Sequence, residues 1–171
     1  METTIFYIVS KYFWVAAIAG AVLSALLINR RCRRLVEQTP ELAPSCSTLV
    51  WGFATWENMP WVVMGIGIMF GRVATAWHYF LQVRENTFVL LWWACVFVTV
   101  VVSAYWVFFK GGAELYGKLS ELYGARFGSA TAVKVFMVGA LVATIVLFVF
   151  LYAVNPAVPG LIRQLEGSGT P

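Results

Sequence analysis

Four stretches of this chain, residues 4–29, 60–81, 87–109 and 132–154, are almost unbroken hydrocarbon. A helix advances about 1.5 Å per residue, so each run can bridge the roughly 30 Å apolar core of a bilayer. In that solvent only the chain itself can bond its N–H and C=O groups, and a helix does so within one segment. The expected architecture is an all-α integral membrane protein. It is a four-helix transmembrane bundle in which residues 1–171 form a single domain.

Composition excludes the alternative of a soluble domain. Apolar residues make up 61% of the chain and charged residues only 12%, about half the usual soluble share. Aspartate is absent, and so few charges cannot cover a water-facing surface.

The connections set the expected topology. Residues 30–59 read as a basic loop carrying Arg30, Arg31, Arg33 and Arg34, and a very short turn at Arg84-Glu85-Asn86 makes the second and third spans a hairpin. Lys110, Lys118, Arg126 and Lys134 cluster in and beside the connection 110–131. The other side has only Arg84, Arg163 and Lys11, so the positive-inside bias places both termini on the non-cytoplasmic side. The amino terminus has no basic stretch before its apolar run and reads as an uncleaved first helix. The expected location is a bacterial inner (plasma) membrane. The net charge of +4 collects beside a span, so the arginines call for anionic lipid headgroups and not for nucleic acid.

Within 110–131 the motif Glu114-Leu-Tyr-Gly117 recurs as Glu121-Leu-Tyr-Gly124. Leu115, Leu119 and Leu122 share one helical face, and Glu114 stands four residues before Lys118. This predicts a short amphipathic helix in the cytoplasmic interface, with Ser129 capping the fourth span.

Candidate functional residues follow from polarity out of place. Arg72 falls inside 60–81, roughly 18 Å from its start, where an ionisable group is costly and marks a site by default. Thr75 and His78, the chain's one histidine, extend it into a broad polar arc suited to an anion or proton path. Gly67 and Gly71 on that helix, and Ala17, Ala21 and Ala25 on the first, are small-residue seams for helix packing. Cys95, Thr99 and Ser103 make a similar line on the third span. Glu57 and Asn58 precede Pro60 at the expected cytoplasmic face, where Asn58 can cap the second span and Glu57 can serve as a carboxylate site.

Glu57-Asn58-x-Pro60 entering a second helix, after a basic loop and an outward amino terminus, resembles membrane-associated glutathione-dependent enzymes. Those are also four-helix chains of this size. Trp51-Gly-Phe-Ala-Thr-Trp56 stands where their arginine-x-x-x-asparagine lead is expected, and the third span lacks their arginine and tyrosines. The resemblance implies glutathione binding through Glu57 and the arginine loop.

Cys32, among four arginines, is a candidate for a reactive or lipidated thiol. Three cysteines and one histidine make no metal cluster, and no nucleophile–base pair or phosphate loop is present. No cofactor is predicted, though haem or pigment held within a complex stays open. The leading expectation is a non-catalytic structural or accessory subunit of a homo-oligomeric or larger membrane complex. A small channel or transporter protomer using Arg72, Thr75 and His78 is the alternative, and the glutathione-dependent enzyme a third.

Overall fold

No proline interrupts the first 38 residues, and the chain stays helical through Glu2–Gln38 (α1), about 55 Å at 1.5 Å per residue. Helix α1 stops at Pro40, which disfavours helical backbone in the residue before it; Thr39 is extended at φ −141°, ψ 83°. The computed structural model describes residues 2–81, 86–122 and 129–154. It is all-helical, at 88%, with no strand among the described residues. After α1 come a 3₁₀ turn (Pro40–Leu42), α2 (Ala43–Thr55), α3 (Met59–Met69), α4 (His78–Leu81), α5 (Thr87–Phe109), α6 (Gly112–Leu122) and α7 (Ala130–Val154). Among the described residues three helices are long and apolar enough to cross a membrane: Phe6–Gln38, Thr87–Phe109 and Ala130–Ala153.

Two expectations need correction here. Residues 30–59 are not a loop. Arginine is a good helix former, so Arg30, Arg31, Arg33 and Arg34 ride the last turns of α1, all exposed, while Cys32 and Leu35 between them face inward. Nor is 60–81 one helix. It breaks after Met69, because Gly71 takes φ +64° and closes a Schellman cap. There the Arg72 N–H donates to the Gly67 carbonyl at 2.9 Å and the Gly71 N–H to that of Ile68 at 3.1 Å.

The chain then folds back in place of continuing. The Ala76 N–H donates to the Ser10 carbonyl on α1 at 3.2 Å, and the Asn86 amide donates to the Arg72 carbonyl at 2.6 Å. Residues 70–77 therefore sit at the end of the bundle where α5 begins. Tyr79, fully buried, ties this end together. Its hydroxyl donates to the Met64 carbonyl on α3 at 3.0 Å, and its own carbonyl accepts from the Trp93 indole on α5 at 3.1 Å. Trp92 and Trp93 stack edge-on around it, with Phe80 and Phe148.

Gly71 takes a different part from the packing seam expected of it, while Gly67 and Ala25 are buried. Gly67 leaves room for the Tyr79 hydroxyl, Gly65 for the Trp14 ring, and Gly71 forms the cap. On α1, Ala25 is buried and Ala17 and Ala21 half-buried, while a methyl group on Gly20 would meet nothing within 4 Å.

At the opposite end Cys32, Leu35, Cys46, Leu49, Leu115 and Leu119 form a second core joining α1, α2 and α6. Helix α6 is amphipathic as expected, but its leucines face protein: Leu115 and Leu119 are buried. Glu114 pairs with Lys134 of α7 at 3.0 Å. That ammonium holds the Glu114 carboxyl below its usual range. The link is therefore intact above the ordinary carboxylate value and is lost as acid carries the pH through the lowered one. Ser129 caps α7 through its hydroxyl oxygen, which accepts from the Ala132 N–H at 3.1 Å. Cys32, buried and hydrogen-bonded to Cys46, is no exposed thiol. Arg84, Tyr123, Gly124, Arg126 and Arg163, which carried parts of the topology reading, lie outside the described residues.

Two stability outcomes follow. Gly67→Ala should cost about 1–3 kcal/mol in a denaturant titration in mixed micelles, because its methyl overlaps the Tyr79 hydroxyl. Tyr79→Phe in the same chain should recover part of that loss, since the next atom lies at 3.4 Å, and Gly20→Ala should change nothing beyond its helix propensity. Leu115→Ala should cost about 2–5 kcal/mol in the same assay, well above Glu114→Gln at the exposed ion pair.

Candidate functional site

Helix α2 does not run on into α3 because of Pro60. A proline lacks the N–H that would bond the carbonyl four residues earlier, here that of Trp56. The Trp56 carbonyl instead accepts from the Met59 N–H at 3.3 Å and from the Thr99 hydroxyl of α5 at 3.2 Å. One turn back, the Asn58 amide donates to the carbonyls of Ala54, at 2.9 Å, and Phe53, at 3.4 Å. Asn58 thus closes the end of α2; it makes no side-chain cap on α3, the role expected from the sequence. It is 7% exposed, and its side-chain oxygen has no partner among the described residues.

This turn, Trp56–Asn58, lies against α5. Thr99 is about 18 Å along α5 from Thr87 and about 15 Å from Phe109, close to the midpoint of a helix long enough to cross a bilayer. Glu57, which is exposed, therefore stands level with the middle of α5.

Beside Glu57 a cavity of about 600 Å³ opens between α2, α5, α6 and α7. It extends along α5 from Thr99 to Val107, about 12 Å. Trp51 and Trp56 line it from the α2 side, Thr99, Ser103 and Trp106 from α5, Tyr116 from α6 and Phe136 from α7. The side chains that line it carry hydroxyls, indole N–H groups and one carboxylate; no lysine, arginine or histidine lines it. Burial pushes the Tyr116 phenol above its ordinary range, and the Glu57 carboxylate and Cys32 add to the shift, so Tyr116 remains a neutral hydroxyl near Glu57.

The other sequence candidates sit elsewhere. Thr75 is buried and its hydroxyl meets His78 Nδ1 at 2.9 Å. Arg72 is exposed in the turn after α3, its carbonyl held by Asn86. Its depth within 60–81 vanished with the helix break. These three residues share the bundle end near α5's start, away from the cavity. Among the described residues no group of three or more histidine, cysteine or acidic side chains is placed to hold a metal.

Sequence reasoning treated Thr99 and Ser103 as a packing line and missed Trp51 and Trp106 as cavity walls. The available signal was a proline, preceded by Glu-Asn, inside the stretch 43–69. The chain matches no family model, no curated protein and no solved structure, so its geometry alone bears on what it does.

Asn58→Leu keeps the volume and removes the bonds to Phe53 and Ala54. It should lower unfolding stability in micelles by about 1–3 kcal/mol and weaken the far-ultraviolet helical signal at α2 only slightly.

Proposed function

We propose that this is a four-span membrane protein whose second span is α2 and α3 together, interrupted at Glu57, with its arginine-rich end in the cytoplasm. The two helices total about 36 Å, enough for the hydrocarbon core. Its function, in this reading, is that of a non-catalytic membrane subunit that binds a small amphiphile in the cavity beside Glu57. The observation that carries it is the unwound turn at the depth of α5's midpoint, opening on a cavity with a single carboxylate.

Three physical arguments support this. Irregular backbone at membrane depth is tolerated only where protein covers it or a polar cavity receives it. Interrupted helices present backbone and side-chain groups to ligands near the bilayer midplane. An ionisable residue at that depth is kept at a cost, which a binding role accounts for.

The exposed arginines of α1 suit anionic headgroups at the cytoplasmic leaflet. The broad apolar surface of α7, with Phe136 at 73% and Phe150 at 58% exposed, suits lipid or a second copy of the chain.

Native mass spectrometry of protein released from its own membrane should show a bound small molecule. Ser103→Trp, which fills the cavity from α5, should lose that molecule while melting near the parent temperature. Equal occupancy in both proteins would remove the cavity from the proposal.

A further inference from the structure

The cavity's walls are chemically one-sided, and this narrows the ligand. Building on the cavity reading above, we infer that the site takes an organic cation with an apolar body, a protonated or quaternary amine whose charge pairs with Glu57 against tryptophan faces.

Charge comes first. Glu57 is the one carboxylate of the lining, and no cationic side chain shares it. Of the basic residues of the nearby end, Lys134 bonds Glu114 at 3.0 Å, Lys110 lies over the Tyr105 ring at 5.8 Å, Lys118 and the α1 arginines are exposed, and none of them lines the cavity. A carboxylate at this depth without a resident countercharge attracts a cation and repels an anion, more strongly than it would in water.

Three of the lining hydroxyls, those of the threonines, point the same way. Thr48, Thr55 and Thr99 donate their protons to the carbonyls of Pro44, Trp51 and Trp56, at 3.0, 2.6 and 3.2 Å. Their protons are engaged, so toward the cavity they can only accept. A ligand that donates hydrogen bonds or carries positive charge meets these lone pairs, while the Ser47, Ser103 and Tyr116 hydroxyls in the same lining can also donate, so charge and not donor count sets the preference.

The aromatic lining supplies the third element. Trp51, Trp56 and Trp106 bring indole rings to one cavity, and an indole face attracts a desolvated cation better than any other side-chain ring. A volume of about 600 Å³ holds a drug-sized molecule.

Binding should depend on pH through Glu57. Tyr116 on α6 is the other ionisable side chain lining the cavity and stays neutral, while the lining residues of α2, α5 and α7 carry no charge. A proton and the cation compete for one carboxylate, so affinity falls as the pH falls.

Tetraphenylphosphonium and tetraphenylborate share a shape and carry opposite charges. Titrated into the purified chain in a neutral detergent and read by tryptophan fluorescence and calorimetry, the cation should bind saturably and the anion at least about tenfold more weakly. Glu57→Gln should weaken the cation by about tenfold or more and remove its pH dependence. The cation inference is overturned if the anion binds as well as the cation, or if Glu57→Gln leaves cation affinity unchanged. In those cases the cavity reading stands as long as Ser103→Trp still blocks the probes. Binding of neither probe, with no small molecule retained from the native membrane, would overturn both. The comparison of the two ions on the parent protein needs no variant to fold.

Discussion

A backbone carbonyl inside a bilayer must be bonded by protein, and in this chain that requirement is concentrated at Trp56. Pro60 cannot bond it, and the Thr99 hydroxyl from α5 helps to do so. Much else follows from that substitution of a side-chain donor for a backbone one. The α2–α3 turn is drawn against the middle of α5, Asn58 turns back to close α2, and Glu57 is left at the cavity. A proline at the start of a helix usually marks an entry point from water. Here the residues before it, Ala43–Thr55, are themselves helical and packed against α1 through Cys46 and Leu49, so the proline marks an interruption.

The two ends of the bundle are held by different means. Near the start of α5, large aromatic rings pack around Tyr79, and glycines on α3 admit them. In lipid, where apolar side chains gain little by leaving the solvent for one another, such close contact and the Tyr79 and Trp93 hydrogen bonds carry the association. At the basic end, α6 lays Leu115 and Leu119 over α1 and α2 and is tied to α7 by Glu114. The cavity runs from the middle of α5 toward the basic end, where Leu49, Trp106 and Tyr116 belong both to its walls and to the second core or the residues packed on it.

Arg72 and Glu57 exchange places in importance for one reason. Both are ionisable residues in or beside apolar sequence, and depth decides which of them is costly. Counted from Pro60, Arg72 is deep and Glu57 superficial. Counted on the folded chain, the left-handed Gly71 ends α3 before Arg72, and Thr99 sets Glu57 level with the centre of α5. The proposed site therefore moves by some fifteen residues, although the polar residues themselves were all visible.

Sequence alone determined the solvent this protein lives in and the helices that need no help. Residues 87–109 and 132–154 correspond closely to α5 and α7, since a long apolar run with a cap such as Ser129 is helical whatever it packs against. The amphipathic face of α6 was legible from the spacing of Leu115 and Leu119. Tertiary structure alone decided where the second apolar region breaks and what its breaks face. Gly67 reads as a packing seam until Tyr79 occupies it, and Gly71 reads as its continuation until its backbone turns left-handed. Pro60 reads as a beginning until Thr99 is found bonding the carbonyl behind it. In each case the local residues leave the outcome open, and contacts made in the folded chain show which part the residue plays.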